Sequence, residues 1–386
     1  MRGACLLWII GISFGQQAVW EKHTQEGARL AQAGRYQEAK AVYQLALRGE
    51  DMPAEPGVQA SLWNNLAMTN RVLGNLGEAR PQYQRALELI EKARGPASCE
   101  YAGILYNLAV LDYAAGKLDE AALQFHRVLK IREDMLGGND PATAQALNSL
   151  AAVYAGQKRY AEAERLSRRA LTIQEEALDP EDRRLVPTLD NLTSSYLRQR
   201  QFGDALELTG RAYAIARKTY GDGHLFTAQR MINRAIVLAH LGRYPEAGEL
   251  LHPALEIQLG VLGEKNAEAA STMAKLAAVR FHQQLAGEAE SLYRRALEVF
   301  ERVRGLNDQE VAGVLVNYGW VLRQTGRKEE GKKLEARARA ILAMHQDDRS
   351  RFSVDVSDLL SPRRRGSLRA IQRFFTEVSR LASRHP

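Results

Sequence analysis

Small residues recur along this chain at a nearly constant interval. An alanine that follows a short turn returns after 40 residues and then at every 42, and a glycine takes its place in the last position. This turn column consists of Ala39, Ala79, Ala121, Ala163, Ala205, Ala247, Ala289 and Gly331. Apolar residues between its members follow a helical spacing, as Leu105, Leu108 and Leu111 do. A fixed period of this length predicts stacked copies of one helical pair.

Each repeat is predicted to contain a first helix, a glycine turn, a second helix and a linker. In the third repeat we expect the first helix over about residues 101–115 and the second over about residues 118–135. Gly116 lies where the first helix must end in a left-handed residue. Asp119 and Glu120 then fall in the first turn of the second helix, where the helix dipole favours carboxylates.

Two further columns of small residues share the register of the turn column. Twelve residues earlier lie Gly27, Ala67, Ala109, Ala151, Thr193, Ala235, Ala277 and Gly319. Seven residues later lie Ala46, Ala86, Val128, Ala170, Ala212, Ala254, Ala296 and Ala338. Such columns predict sites where two helix backbones cross too closely for a large side chain.

Two departures from the apolar pattern stand out. Arg234 replaces a leucine of the first-helix core in the sixth repeat. Its side chain either extends to the binding face or marks a local functional change. Glu335 replaces the aromatic residue found at Tyr43, Tyr83, Phe125 and Tyr293, which fits a terminal repeat with one face in water.

The motifs Asn-Leu-Ala-x-x-x-Tyr, Gly-x-Tyr-x-Glu-Ala and Tyr-x-x-Ala-Leu resemble tetratricopeptide repeats. The 42-residue spacing, with its linker at residues 136–141, resembles the type found in kinesin light chains and in many bacterial repeat proteins. The resemblance implies an all-α, right-handed superhelical solenoid of about eight repeats over residues 20–342. It also implies a scaffold that binds an extended peptide or partner segment in a concave groove.

One column within the first helices is polar, although asparagine is a poor residue for a helix interior. It consists of Asn65, Asn107, Ser149, Asn191, Asn233, Lys275 and Asn317. By resemblance these side chains face the groove, and their amides hold a peptide backbone, since one amide both donates and accepts. The alternative is that the amides bridge adjacent repeats.

Residues one and two turns further along the same helix face are expected to line the groove around this polar column. They are Met68, Val110, Ser194, Ile236 and Trp320, followed by Arg198, His240, His282 and Gln324. We include Arg198, His240 and Trp320 among the candidate peptide-binding residues, and an acidic peptide could pair with Arg198 and Lys275. For any one of these side chains, a solvated surface position is the alternative.

Catalytic and metal-binding motifs are absent from the sequence. No His-Glu-x-x-His pair occurs, Cys5 and Cys99 are too far apart for metal-ligand spacing, and no glycine-rich phosphate loop follows a strand pattern. The sequence therefore predicts a non-enzymatic protein without a cofactor or metal, whose partner is a protein or peptide. An enzyme with a site around Arg198, His240 and His282 is the remaining alternative of another class.

The first 15 residues are predicted to be a signal peptide, because an apolar run follows Arg2 and small residues follow the run. Cleavage would make the protein exported, periplasmic or secreted. Alternatively, the segment is an uncleaved cap helix, and the protein is a cytoplasmic sensor or adaptor of a signalling system.

Positive charge is concentrated at the other end of the chain. The whole chain carries a net charge of +7. Residues 343–386 are predicted to form a linker and a basic amphipathic helix, with Leu368, Ile371 and Phe375 on its apolar side. We expect this helix to cap the array or to dock on a partner, with a membrane surface as the alternative. Nucleic acid is not expected, because no recognition module accompanies the arginines. Self-association remains open.

Overall fold

The computed structural model describes residues 19–48 and 54–345. Within these ranges the regular structure is helical, with no strand. The predicted signal peptide, and the predicted basic helix beyond residue 345, lie outside the described residues, so both stay predictions. The described part comprises two compact units that divide between Ser195 and Tyr196.

Within the described residues, sixteen α-helices follow one another as eight pairs, and odd numbers denote the first helix of each pair. Their bounds are α1 Val19–Gln32, α2 Tyr36–Arg48, α3 Pro56–Val72, α4 Leu76–Arg94, α5 Cys99–Ala114, α6 Leu118–Leu136, α7 Pro141–Gly156, α8 Tyr160–Ala177, α9 Val186–Arg198, α10 Phe202–Tyr220, α11 Leu225–His240, α12 Tyr244–Leu262, α13 Ala267–His282, α14 Ala286–Arg304, α15 Gln309–Gln324 and α16 Lys328–Met344. A short 3-10 turn, Arg183–Leu185, precedes α9. The predicted all-α solenoid of eight helical pairs is confirmed.

Side-chain caps in the linkers set where the first helices begin. The Ser98 hydroxyl accepts a hydrogen bond from the backbone N–H of Tyr101 at 3.2 Å. This bond starts α5 at Cys99, two residues before the predicted start. The Asp140 carboxylate accepts from the N–H of Ala142 at 2.7 Å and starts α7 in the same way.

The turn inside each pair requires a left-handed backbone five residues before the turn column. Glycine provides this conformation in most repeats, as at Gly116. In three repeats, however, a residue with a side chain adopts it: Lys158 has a φ of 63°, Arg200 of 62° and Gln284 of 67°. The turn geometry therefore persists where the sequence does not favour it.

Relieving this strain should stabilise the protein. A left-handed conformation costs an L-residue about 1–2 kcal/mol, and glycine avoids this cost. Part of the gain is offset because glycine loses more conformational entropy on folding. We expect Arg200→Gly to raise the free energy of unfolding by about 0.5–1 kcal/mol, measured by urea denaturation. Arg200→Ala is the control, because it removes the side chain and keeps the strain. Equal stability of the two variants would contradict the explanation.

The three columns of small residues are buried where the helices cross. All seven alanines of the turn column have no exposed surface. A Cβ added at Gly27 would lie 2.7 Å from the ring of Tyr43, and one added at Gly319 would lie 2.8 Å from the carbonyl oxygen of Gly331. The predicted close crossing of the paired helices is therefore present at both ends of the described array.

A larger side chain at such a crossing should force the helices apart. We expect Ala205→Leu to destabilise the protein by about 1–3 kcal/mol, because overpacking moves side chains and backbone from their preferred positions. Thermal or urea unfolding would measure the loss. Glu207→Leu adds the same side chain at an exposed site of the same helix and should change stability by less than about 0.5 kcal/mol. A well-tolerated leucine at residue 205 would be evidence against the crossing.

Arg234 extends toward the second helix of the preceding pair. Its Nη1 donates to the carbonyl oxygen of Leu206 in α10 at 3.2 Å. The guanidinium lies over Gly210, where an added Cβ would be 2.5 Å from Nη1. The large charged side chain of Arg234 in α11 thus lies opposite a glycine in α10.

Glu335 pairs with the other helix of the last repeat. Its carboxylate accepts from Arg323 Nη1 at 3.1 Å, so an ion pair stands where other repeats bury an aromatic ring.

Candidate functional site

The polar column occupies the same position in seven of the first helices. Asn65, Asn107, Ser149 and Asn191 belong to the first unit, and Asn233, Lys275 and Asn317 belong to the second. All are half-buried except Asn317, which is 2% exposed. A half-buried side chain can contact a neighbouring helix and still reach solvent.

In the first unit the polar column forms hydrogen bonds between successive repeats. Asn107 Nδ2 donates to Asn64 Oδ1 at 2.9 Å. The hydroxyl groups of Tyr106 and Ser149 lie 2.8 Å apart.

The third link has two acceptors. Asn191 Nδ2 donates to the Asn148 side-chain oxygen at 2.8 Å and to its carbonyl oxygen at 3.1 Å. In all three links the residue of the polar column bonds to a residue 43 positions earlier. The bridging alternative of the sequence analysis is therefore realised in these repeats.

The bridging partners are residues that the sequence analysis missed. Asn64, Tyr106 and Asn148 each directly precede the polar column of their own repeat, and we call this position the support column. Its polar character was the available signal, because in the second unit the same position holds Ile232, Ala274 and Val316. The chain thus changes from a polar to an apolar support column between the two units.

Tyr106 is itself held by two neighbouring side chains. Its ring meets the ring of Phe125 edge-on, with centroids 5.4 Å apart. The guanidinium carbon of Arg132 lies 5.0 Å from the centre of the same ring. Arg132 is only 9% exposed and donates to the carbonyl oxygen of Ala142 at 2.6 Å. These contacts fix the hydroxyl group that faces Ser149.

In the second unit, two members of the polar column form hydrogen bonds along their own helix. Asn233 accepts from Gln229 Nε2 at 3.0 Å. Lys275 Nζ donates to the Ser271 hydroxyl at 2.5 Å and to the Ser271 carbonyl oxygen at 3.3 Å.

The predicted lining residues of the second unit pack against aromatic rings. His240 stacks on Phe202 with ring centroids 4.9 Å apart, and His282 stacks on Tyr244 at 4.3 Å. Trp320 meets Phe281 edge-on at 5.1 Å. Arg198, at the end of α9, is half-buried. Each histidine therefore stacks on a different ring, which gives no support to a joint catalytic pair.

Two features are absent from the described residues. Over residues 19–48 and 54–345, no group of three or more His, Cys, Asp or Glu side chains is arranged to hold a metal ion. In the same part of the chain, no helix is both long and apolar enough to cross a membrane.

Comparison with protein families identifies the repeats. Models described as tetratricopeptide repeat match residues 58–134, 100–176, 142–218, 184–247, 227–268 and 268–343. These matches cover more than half of the chain. The chain belongs to the tetratricopeptide repeat family. The identification made from the sequence motifs is confirmed.

Solved structures share this tetratricopeptide fold at low sequence identity. The apo form of RapI has a TM-score of 0.58 and 16% identity, covering 74% of this chain and 98% of its own. A tetratricopeptide repeat protein from Parabacteroides merdae has a TM-score of 0.51 and 17% identity, covering 78% and 98%. BtubC (BKLC) from P. vanneervenii has a TM-score of 0.49 and 22% identity, covering 64% and 95%. No curated protein matches the chain significantly.

Tetratricopeptide repeats generally bind proteins or peptides, and their fold is generally a non-enzymatic scaffold. This tetratricopeptide protein therefore has the architecture of a protein-interaction scaffold.

Lys275 is the one cation of the polar column, and its surroundings disfavour its charge. Burial lowers the pKa of its ammonium group from the usual 10.5 to about 8, and the Glu310 carboxylate opposes this shift. An ammonium group that has lost part of its hydration gains more from a ligand carboxylate than a fully solvated one does.

The cost of this charge predicts a pH-dependent effect of mutation. Because the pKa is lower in the folded than in the unfolded state, the folded protein binds fewer protons between about pH 8 and pH 10.5, and its stability rises with pH there. Below that window the cost is fully present. Lys275→Met should therefore raise the free energy of unfolding by about 1–3 kcal/mol near pH 7, and by less near pH 10.

Thermal melts of wild type and Lys275→Met at both pH values would measure this difference. The control is Lys265→Met, which neutralises an exposed lysine in the linker before α13. An equal effect of Lys275→Met at both pH values would show that the charge of Lys275 costs nothing.

Proposed function

We propose that this chain is a non-enzymatic scaffold that binds an extended peptide, or an extended segment of a partner protein, on the face of its first helices. The observation that carries the proposal is the polar column itself. Seven polar residues stand at one register in consecutive first helices, and six of them are half-buried rather than sealed in the core. Membership of a family that generally binds proteins or peptides supports the same function.

The bridging hydrogen bonds leave the amides with unused binding capacity. Each primary amide has two N–H donors and an oxygen that accepts two hydrogen bonds. Asn107 uses one N–H on Asn64, so its second N–H and its oxygen stay available to a peptide unit. Bridging and peptide binding are therefore compatible, and the two interpretations of the column do not exclude each other.

Selectivity would come from side chains beside the amides, chiefly in the second unit. Lys275 and Arg198 offer positive charge to a partner carboxylate. The half-buried rings of Trp320 and His240 offer apolar contact area. We accordingly propose that the partner includes an acidic or carboxylate-bearing segment.

Selection from a library of random 16-residue peptides displayed on phage would test the function with the full-length chain. We expect the wild type to enrich peptides that the variant Asn107/Asn191/Asn233→Ala binds at least about tenfold more weakly, because each lost peptide contact removes about 0.5–1.5 kcal/mol.

Asn139/Asn307→Ala removes two exposed linker asparagines and serves as the matched control. Melting curves of all proteins separate lost binding from lost folding. If the triple variant folds and binds the selected peptides as tightly as the wild type, the column is structural and the proposed mode of binding is wrong.

A further inference from the structure

We infer that Asn64, Tyr106 and Asn148 are positioning residues that orient the peptide-binding side chains of the first unit. The inference rests on the proposed function, and it assigns a role to the support column. The starting observation is that three consecutive links share one register. In each link, the support column of one repeat bonds to the polar column of the next.

Each link holds a flexible polar side chain in one orientation. A free asparagine rotates about both side-chain torsions, and ordering it when a ligand binds opposes binding. The bond from Asn107 Nδ2 to Asn64 Oδ1 imposes this order during folding. The second N–H and the oxygen of Asn107 are then aimed before the ligand arrives, which improves affinity without any new ligand contact.

The supporting residues are themselves well anchored. Tyr106 is held between Phe125 and Arg132, so the hydroxyl that meets Ser149 has a fixed place. Asn191 is held by both the side chain and the backbone oxygen of Asn148. Since a backbone oxygen persists after mutation, truncation of Asn148 should matter less than truncation of Asn64.

The support column of the second unit has no side chain that could form such a hydrogen bond. Ile232, Ala274 and Val316 occupy its support column and can neither donate nor accept through their side chains. The two units should therefore recognise different features of a ligand. The first unit would bind backbone amides, which every sequence has, and the second would bind side chains through groups such as Lys275.

The test uses full-length protein and a peptide selected from the random 16-residue library. Asn64→Ala removes the acceptor of the first link, whereas Asn64→Asp keeps an oxygen at the same place and is the conservative rescue. Tyr106→Phe removes only the hydroxyl group of the second link. Asn139→Ala removes an exposed linker asparagine and is the control.

We expect Asn64→Ala and Tyr106→Phe each to weaken peptide binding by about 3- to 10-fold, which is the effect of losing about one hydrogen bond. Asn64→Asp and the control Asn139→Ala should each bind within about twofold of the wild type. Melting curves establish that each variant is folded. Asn148→Ala should have a smaller effect than Asn64→Ala.

A change in the ligand backbone separates positioning from a merely structural role. Replacing one peptide amide by an ester removes an N–H group that could donate a hydrogen bond to an asparagine oxygen. A scan of esters along the peptide should find positions where the wild type loses about 3- to 10-fold in affinity and Asn64→Ala loses clearly less. Additive losses at every position would indicate that Asn64 affects only the fold.

The outcomes for the two proposals are distinct. If the wild type selects no peptide, the proposed function fails and the positioning role fails with it. If the wild type binds its selected peptide and Asn64→Ala and Tyr106→Phe bind it equally well, the positioning role alone is overturned. Weaker binding with rescue by Asn64→Asp and with non-additive ester effects supports both.

Discussion

The close crossing of paired helices is the constraint on which the structure depends. Alanine or glycine fills the turn column in every repeat, and the seven alanines are completely buried. At these sites the partner backbone occupies the space that a larger side chain would need, as the near contact of Gly319 with Gly331 shows. Apolar residues around the crossings then bury their surface against the next helix, and this burial supplies the favourable free energy of folding. Small residues thus decide where the helices meet, and larger ones supply the stability.

A fixed crossing also gives the polar residues their alignment. Most repeats are 42 residues long. A contact between two given positions of adjacent repeats therefore joins residues with the same sequence separation each time it occurs. The three links all join residues 43 apart, and the stacks of His240 on Phe202 and of His282 on Tyr244 join residues 38 apart. The polar contacts therefore exploit an alignment that packing has already established. They need not hold the helices together, which is consistent with their absence from the support column of the second unit.

The sequence predicted the fold well because periodicity is a collective property of many residues. The number of pairs, the three columns of small residues and the helices of the third repeat follow from the pattern alone. Single-site geometry was harder to predict. The left-handed backbone of Lys158, Arg200 and Gln284 contradicts the preference of those residues and arises from the turn around them. The fit of Arg234 over Gly210 depends on how two helices face each other, and the residue pattern of either helix alone does not show this.

The candidate site was predictable in part. The polar column was visible in the sequence, but its hydrogen bonds depend on which residue of the preceding repeat faces it. Asn107 finds the amide of Asn64, whereas the corresponding neighbours in the second unit are apolar. There Lys275 turns to Ser271 of its own helix, and its charge stays in a poorly hydrated place. A charge in such a place costs stability, because its hydrogen bonds to Ser271 replace only part of the lost hydration. The polar column therefore bonds to the preceding repeat in the first unit, whereas Asn233 and Lys275 bond along their own helices in the second.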